Sequence, residues 1–405
     1  MVNIAVLGYG TVGSGVVEVL NTNRASINKK AGQEINIKYV LDLREFPGDP
    51  VMDVLVHDYD VILNDPEVEV VVEVMGGVNP AYKFVKAALE NGKSVCTSNK
   101  ELVAKYGAEL LQIAKEKEIN FLFEASVGGG IPIIRPLNQS LTADEIEEIT
   151  GILNGTTNYI LTKMSNEGLD FDTVLKDAQN KGYAERNPEA DVEGFDACRK
   201  IAILSSLAFG MQVDYEDIYT EGITKITDTD IKYAKALDAS IKLFGTSRKD
   251  NDKVFASVTP VMIDQNHPLY SVNDVFNGIY VRGNVLGDVM FYGSGAGKLP
   301  TASAVMADVI DAVKHLGTNI MTLWSSRKLE LADFNKASFK YFVRVSGDSD
   351  DVKKEVARVF GDVTEVKAEG VTGEYAFITV EMKEEEFKTL SEKLNNLISR
   401  IRVRF

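Results

Sequence analysis

The sequence has little of what disulfide frameworks and zinc sites are built from. Its 405 residues include only two cysteines, Cys96 and Cys198, and three histidines. The two cysteines lie far apart in the chain and lack metal-type spacing, which argues against a disulfide framework and fits a reducing compartment. Because free cysteines are usually core residues, we interpret both as buried thiols.

Long apolar runs and positive charge are scarce as well. No segment offers the roughly 20 apolar residues of a membrane helix, and the strand-like start at residues 1–7 leaves no room for a signal peptide. The formal net charge is -16, and basic residues form only short pairs such as Lys29 and Lys30. Since such a chain repels phosphate backbones and anionic membrane surfaces, we expect a cytoplasmic protein without nucleic-acid or membrane partners.

The first third of the chain alternates short apolar runs with amphipathic segments. The predicted strands cover residues 2–7, 35–43, 68–75, 94–97 and 120–125. The predicted helices start near residue 14 and cover residues 80–90 and 102–117. Because strands that alternate with helices form right-handed crossovers, this order predicts a mostly parallel, doubly wound α/β sheet of the Rossmann type.

The pattern changes after Pro132. Amphipathic stretches at residues 171–179, 195–209 and 231–244 alternate with predicted strands at 147–153, 254–263 and 280–285. This mixture predicts an α+β domain laid against the first one. A predicted helix at residues 301–317 could return to this first domain.

The C-terminal part of the chain has its own periodic pattern. Predicted strands at residues 339–346, 363–369, 375–382 and 401–405 combine with helices at 350–360 and 384–398. The order βαββαβ is that of a ferredoxin-like domain. We therefore expect a Rossmann-type domain at 1–135, an α+β domain at 136–300, a connector at 318–337 and a ferredoxin-like domain at 338–405.

A glycine-rich turn follows the first predicted strand and opens the first predicted helix. Gly8 permits the tight turn, Gly10 lets the backbone approach a pyrophosphate, and Gly13 allows close packing of helix on strand. The helix N-terminus then offers N–H groups to the phosphates. Asp42 and Arg44 end the second predicted strand, where an acid would bind a ribose hydroxyl and an arginine a 2′-phosphate. The choice between NAD and NADP therefore stays open, as does a plain surface turn.

Two lysines are candidates for proton transfer. Lys100 follows a predicted strand at the carboxyl edge of the sheet, where open α/β folds bind ligands. Lys200 lies four residues after Asp196 on a predicted helix, after a loop rich in carboxylates, glycine and proline. An alcohol dehydrogenase needs a base with a pKa near neutrality, and lysine serves when burial and a second cation lower its pKa. A surface ion pair is the alternative interpretation.

Several sequence blocks together resemble the homoserine dehydrogenase family. The blocks are residues 8–13, 97–100, 123–132, 151–159, 182–200 and 293–302, in the family's order within about residues 1–317. The resemblance implies that a nicotinamide dinucleotide exchanges a hydride with homoserine and aspartate semialdehyde. It also implies that the domain at 136–300 is catalytic and dimerising, so that the chain forms a homodimer or tetramer.

The resemblance assigns roles to individual residues. Lys100 and Lys200 match the two lysines at the reacting hydroxyl, one as the acid or base and the other orienting the substrate. Glu185, Asp191 and Asp196 match the carboxylates that bind the substrate ammonium and hold the lysines, so that Glu185 and Asp196 are expected to be catalytic as well. Thr156 falls in the loop that contacts the substrate, and Lys200 is expected to bind the substrate too. Thr11, Val12, Ser98 and Gly297 fall where the family contacts the cofactor, and we expect the whole cofactor site to comprise Gly8, Gly10, Thr11, Val12, Gly13, Arg44, Ser98, Lys100 and Gly297. Glu124 and the backbone carbonyls of Val127, Gly129 and Ile131 match a site for a monovalent cation, which we expect to be sodium.

Some features depart from the family pattern. Arg186 and Asn187 stand where the family often has Ala-Asp or Pro-Asp, and Ser98 stands where it often has alanine. The C-terminal domain resembles an ACT domain, but residues 347–351 replace the usual effector-binding turn. Threonine as an effector is therefore a hypothesis.

Two other functions stay open on the sequence. An aspartate-semialdehyde dehydrogenase needs an activated cysteine nucleophile, and neither Cys96 nor Cys198 stands in a context that exposes it. A non-enzymatic sensor would bind the dinucleotide without turning over substrate.

Overall fold

The computed structural model describes all residues 1–405. Its strands are β1 (Val2–Leu7), β2 (Ile35–Leu41), β3 (Leu55–Val56), β4 (Val68–Glu73), β5 (Ser94–Thr97), β6 (Phe121–Leu122), β7 (Ile146–Ile152), β8 (Met211–Gln212), β9 (Tyr219–Thr220), β10 (Ala239–Asp250), β11 (Lys253–Asp264), β12 (Phe276–Gly283), β13 (Gly287–Ser294), β14 (Ser325–Lys328), β15 (Ser338–Ser346), β16 (Val363–Val366), β17 (Glu374–Thr379), β18 (Met382–Lys383) and β19 (Leu397–Arg404).

The helices are α1 (Thr11–Ala31), α2 (Tyr59–Leu63), α3 (Ala81–Glu90), α4 (Lys100–Glu116), α5 (Gly155–Glu167), α6 (Phe171–Asn180), α7 (Glu189–Val192), α8 (Phe195–Phe209), α9 (Asp228–Ala236), α10 (Lys298–Lys314), α11 (Asp350–Phe360) and α12 (Glu384–Ser391). None of them combines the length and the apolar character that crossing a bilayer requires.

The chain divides into two compact units. Unit 1 comprises Met1–Glu145, Ala202–Tyr215 and Gly293–Leu329, and unit 2 comprises Ile146–Ile201, Glu216–Tyr292 and Glu330–Phe405. The finer division into domains that we drew from the sequence stays a prediction.

Unit 1 is built on a six-stranded parallel sheet with the order β3-β2-β1-β4-β5-β6. This is the strand order of a dinucleotide-binding Rossmann sheet, which confirms the predicted fold class. The central strand β4 has four valines and is almost entirely buried, because helices cover both faces of such a sheet. The carboxyl ends of β1, β4 and β5 lie at one edge of the sheet.

Helix α10 packs on α1 in the core of unit 1. Val16 and Leu20 of α1 share a buried cluster with Val305 and Val309 of α10. The helices approach closely at Gly15, where an added Cβ would lie 3.0 Å from the Cβ of Ala302.

Unit 2 contains an eleven-stranded mixed sheet with the main order β13-β12-β7-β10-β11-β19-β15-β17-β16. Strands β10 and β11 form a long antiparallel pair, and β7 lies antiparallel between β10 and β12. The C-terminal elements β15, α11, β16, β17, α12 and β19 confirm the predicted βαββαβ order, with the short strand β18 added.

The C-terminal elements share one sheet with the rest of unit 2. Strand β19 pairs in parallel with β11 from Val261 to Ile263. Buried ion pairs support this junction. Arg402 bonds Glu384 at 2.9 Å, and both side chains are fully buried. Arg344 bonds Asp230 of α9 at 2.8 Å.

Three predicted elements were wrong in part. The predicted helix at 231–244 ends at Ala236, and residues from Ala239 onward belong to β10. Because β10 is buried on both faces, it lacks the alternation that marks a strand. The predicted helix at 384–398 ends at Ser391, and β19 starts at Leu397. The predicted strand at 120–125 is reduced to β6, after which residues 124–126 form a 3-10 turn.

Candidate active site

The glycine turn of unit 1 has the geometry that the sequence predicts for a dinucleotide site. Gly8 has a φ of 97°, a conformation that favours glycine. A Cβ on Gly13 would lie 1.9 Å from the Gly8 carbonyl oxygen, whereas a Cβ on Gly10 would meet no atom within 4 Å. The turn therefore excludes a side chain at Gly13 and leaves open space at Gly10.

Two helix N-termini lie beside this turn. Helix α1 begins at Thr11 and Val12, with Gly10 as its N-cap and no side-chain cap. Helix α10 begins after Gly297, and the carbonyl oxygen of its first residue, Lys298, would lie 2.9 Å from a Cβ on Gly15. First-turn N–H groups have no partner within their own helix, so both termini can serve anionic groups.

Asp42 and Arg44 form a close pair next to the turn. The Arg44 guanidinium donates to both Asp42 carboxylate oxygens, at 3.0 and 2.9 Å, and also donates to the Tyr9 carbonyl. The Tyr9 N–H donates to Asp42 at 2.8 Å. The hydrogen bonds from Arg44 hold the pKa of the Asp42 carboxyl below its usual range. Arg44 itself keeps 62% of its side chain exposed.

Ser98 and Lys100 lie at the carboxyl edge of the sheet. Lys100 is the first residue of α4, and Asn99 caps that helix by accepting the Leu102 N–H at 3.1 Å. Strand β5 ends at Thr97, so the turn at residues 98–99 joins the strand directly to the helix. The structure thus brings Lys100 and Ser98 to the edge on which the glycine turn also lies.

The second predicted lysine lies in unit 2 within a bonded cluster. The Lys200 ammonium donates to Asp196 Oδ2 at 2.7 Å and to the Leu153 carbonyl oxygen at 2.8 Å. Asp196 is 5% exposed, so this pair is not the surface ion pair that a spacing of four residues would otherwise suggest. An ammonium has three N–H groups, and these two bonds use two of them.

Asn154 joins this cluster, although it is not among the site residues predicted from the sequence. Its amide donates to Asp191 Oδ1 at 2.7 Å and to Asp196 Oδ2 at 2.8 Å. Its carbonyl oxygen accepts the Thr157 N–H and caps α5. Asparagine directly before a helix is a favoured N-cap residue, so its capping role, though not its bonds to the two aspartates, had a signal in the sequence.

The other predicted substrate residues lie on neighbouring segments of unit 2. The Thr156 hydroxyl donates to the Tyr183 carbonyl oxygen at 2.6 Å. Glu185 lies on an exposed segment that follows. Thr156 is therefore held in place by this hydrogen bond, whereas Glu185 lies at the surface of unit 2.

The predicted cation loop is stabilised by a buried carboxylate. Glu124 accepts the backbone N–H groups of Ile133, Ile134 and Arg135, at 2.6 to 2.8 Å. Gly129 has a φ of 55°, and a Cβ there would lie 2.5 Å from the Gly295 carbonyl. No group of three or more histidine, cysteine, aspartate or glutamate side chains is arranged as metal ligands. Carbonyl oxygens with one carboxylate suit an alkali cation better than a transition metal.

Both cysteines are buried. Burial raises the pKa of Cys96 well above its ordinary value, and it also raises the pKa of Cys198. Since the thiolate is the nucleophile, neither thiol suits the acyl-enzyme chemistry of an aspartate-semialdehyde dehydrogenase.

A cavity of about 660 Å³ on unit 2 is lined by Phe244, His267, Tyr280 and Phe405, among others. It contains none of the predicted site residues.

Known proteins resemble this chain over most of its length. Residues 8–124 match the homoserine dehydrogenase NAD-binding domain, and residues 132–310 match homoserine dehydrogenase. The homoserine dehydrogenase of Bacillus subtilis (strain 168) is 45% identical over 318 residues, which are 78% of this chain and 73% of that protein.

Solved structures give the same result. A homoserine dehydrogenase from Thiobacillus denitrificans has a TM-score of 0.89 and 34% identity, over 100% of this chain and 98% of that one. A hyperthermophilic archaeal homoserine dehydrogenase in complex with NADPH has a TM-score of 0.64 and 30% identity, over 77% of this chain and 97% of that one. The chain therefore belongs to the homoserine dehydrogenase family, oxidoreductases that interconvert homoserine and aspartate semialdehyde with a nicotinamide dinucleotide.

Proposed function

We propose that Lys100 and Lys200 act on the same substrate oxygen in this reaction. The observation that carries the proposal is the bonded cluster around Lys200, in which Asp196 and the Leu153 carbonyl oxygen fix the ammonium. Two ammonium N–H groups are used there, so the third is directed to the substrate. A buried carboxylate that holds a lysine in one position supplies the orientation that proton transfer requires.

The lysine side chains transfer the proton of the reaction. In the oxidation of homoserine, a lysine amine accepts the hydroxyl proton; in the reduction of the semialdehyde, a lysine ammonium donates a proton to the carbonyl oxygen. When bound, the dinucleotide accepts or supplies the hydride. The second lysine orients the oxygen.

Carboxylates of unit 2 bind the substrate ammonium in this proposal. Asp191 is held by Asn154, which fixes the direction of its carboxylate. Glu185 contributes a second carboxylate from its exposed segment. Thr156, held by the Tyr183 carbonyl oxygen, contacts the substrate from the start of α5. Charge-assisted hydrogen bonds of this kind are stronger than neutral ones.

The pair next to the glycine turn favours NADP over NAD. Asp42 already accepts from Arg44 and from the Tyr9 N–H, which leaves it poorly placed to bind a ribose 2′-hydroxyl. The exposed Arg44 suits a 2′-phosphate, since guanidinium binds phosphate with two parallel hydrogen bonds. Comparison of kcat/KM for NADPH and NADH, with Arg44→Ala, tests this preference: the variant should lose NADPH efficiency and keep NADH efficiency.

A sodium ion at the cation loop would be held by Glu124 and the carbonyl oxygens of Val127, Gly129 and Ile131. The bonds from three backbone N–H groups to the buried Glu124 carboxylate support this assignment, because they fix an oxygen ligand in the loop. A melting temperature that rises with sodium chloride but not with choline chloride supports the site, and equal curves reject it.

The remaining features of the proposal concern assembly and regulation. We assign a homodimer or tetramer and a cytoplasmic location, and we treat the C-terminal ACT-like elements as the place where threonine would act. Gly347, with a φ of 92°, begins the turn that replaces the usual effector loop. If millimolar threonine changes neither turnover nor melting temperature, these elements serve assembly instead.

A kinetic experiment tests the assignment of Lys200. Consumption of NADPH with aspartate semialdehyde is followed for the wild type, Lys200→Ala and the matched control Lys232→Ala, whose ion pair with Asp228 has the same spacing but is half exposed. Loss of a general acid or base costs about 10²–10⁴ in rate, whereas the control should retain its turnover. Near-normal turnover of Lys200→Ala would defeat the assignment.

A further inference from the structure

Glu73 is a buried carboxylate to which no role has been given so far. It is the last residue of β4, at the carboxyl edge of the unit 1 sheet, and it is 0% exposed. Burial of an ionisable group is unfavourable unless its oxygens are hydrogen-bonded. Because the side chain does not reach the surface, it cannot touch substrate or cofactor directly.

The Glu73 carboxylate joins the turns that follow two neighbouring strands. Its Oε1 accepts the N–H of Met75, in the turn after β4, at 2.8 Å. Its Oε2 accepts the hydroxyl of Thr97, the last residue of β5, at 2.6 Å. Burial raises the pKa of Glu73, and the hydrogen bonds from Thr97 and Met75 oppose that rise.

Thr97 connects Glu73 to the start of α4. Its hydroxyl oxygen accepts the Asn99 N–H at 3.0 Å. The Asn99 amide donates to the Gly77 carbonyl oxygen and caps α4 through the Leu102 N–H. The next residue, Lys100, is the first residue of the helix, so its backbone position follows from these bonds.

Met75 connects the same carboxylate with the glycine turn. A Cβ on Gly8 would lie 3.0 Å from Met75 Cγ and 3.3 Å from the Met75 nitrogen. The Met75 N–H that Glu73 holds is therefore packed against the turn expected to carry the pyrophosphate. One buried carboxylate thus contacts both the segment that carries Lys100 and the segment behind Gly8.

We propose that Glu73 is a positioning residue, which sets the glycine turn and the Lys100 turn in one mutual geometry through Thr97, Asn99 and Met75. This inference rests on the proposed role of Lys100, while its link to the glycine turn does not. A displacement of about 1 Å at a reacting group can cost about 100-fold in rate. Loss of the connection should therefore lower turnover more than it lowers substrate affinity.

Thr97→Val tests the proposal because it keeps the shape of the side chain and removes the hydroxyl. Thr97→Ser restores the hydroxyl. Thr379→Val is the matched control, since the Thr379 hydroxyl is also buried and also accepts a backbone N–H, from Tyr341. Glu73→Gln is the second variant, because it keeps the volume and replaces one acceptor by a donor.

Each variant is measured for kcat, for KM of homoserine, for the Kd of NADPH and for melting temperature. We expect Thr97→Val and Glu73→Gln to lower kcat by about 10- to 100-fold and to raise the Kd, with KM of homoserine little changed. Thr97→Ser should recover both values, and Thr379→Val should lower only the melting temperature.

The proposal is overturned if Thr97→Val loses melting temperature alone, as the control does, or if Thr97→Ser fails to recover kcat. The proposed role of Lys100 fails separately. If Lys100→Ala turns over normally, that role is lost, whereas a raised Kd for NADPH in Thr97→Val would still support the link to the glycine turn.

Discussion

Replacement of two glycines in the same turn should separate folding from cofactor binding. In Gly13→Ala the new methyl group would stand 1.9 Å from the Gly8 carbonyl oxygen, although real Cβ atoms essentially never approach another atom to less than 3.0 Å. The turn or the helix must therefore move by about 1 Å. Such a movement is costly because the atoms in conflict belong to the backbone and not to a flexible side chain. In Gly10→Ala the methyl group meets nothing within 4 Å, so the fold accepts it.

Gly13→Ala should reduce folding stability, whereas Gly10→Ala should reduce the affinity for the cofactor. Overpacking at Gly13 should lower the free energy of unfolding by roughly 1–3 kcal/mol, and it should also distort the turn. At Gly10 the methyl group fills the space through which a pyrophosphate approaches the backbone. Loss of one charge-assisted hydrogen bond there costs about 1.5–3 kcal/mol, which raises the Kd of the dinucleotide roughly 10- to 100-fold.

Titration of NADPH fluorescence and thermal melting measure the two effects on the same samples. Gly10→Ala should melt like the wild type and bind NADPH weakly, whereas Gly13→Ala should lose both stability and binding. If Gly10→Ala binds NADPH with the wild-type Kd, the turn does not carry the pyrophosphate, and the reasoning is wrong.

Three further outcomes follow from other parts of the chain. Asn154→Ala should lower kcat/KM, measured by steady-state kinetics, and should destabilise the protein by about 0.5–2 kcal/mol, measured by urea unfolding. An unchanged kcat/KM would show that Asn154 does not support the Lys200 cluster. Glu384→Gln should destabilise unit 2 by about 1.5–3 kcal/mol, because it removes one of the two carboxylates that pair with buried Arg402 and leaves Glu221 as its charge partner; a wild-type urea midpoint would contradict this. Burial and Arg404 lower the pKa of His267 from 6.5 to about 4, so the unfolded chain binds more protons between these values. Stability should fall as pH drops from 6.5 to about 4, and His267→Gln should flatten that part of the curve.

The sequence predicted the Rossmann unit well because each of its signals is local. The valine-rich strand β4 is buried on both faces, and the glycine turn lies between β1 and α1 in the chain. The bounds of α8 and α11 agree with the predicted ones, since their apolar spacing is regular and both begin after good helix-starting residues.

The incorrectly predicted elements are those whose structure depends on tertiary contacts. Nothing local separates α9 from β10, where Asp238 turns with a φ of 51° and the strand is then buried between β7 and β11. The end of α12 was missed because Leu394 continues the helical apolar spacing, although it packs from the following turn.

The candidate site was predicted residue by residue only where a motif marks it. Lys200 and Asp196 were found through their spacing, and the structure adds that Asp196 is buried. Asn154 and Glu73 were not singled out, because their importance lies in bonds to residues distant in the chain. Such contacts are a property of the fold.

A double-mutant cycle on Lys100 and Lys200 tests the central claim most directly. If both lysines serve one substrate oxygen, each single alanine variant removes most of the catalysis. The double variant should then be hardly slower than the slower single one, since groups that act as a unit are strongly non-additive. Rate losses that multiply in the double variant would show two independent roles and would contradict the account.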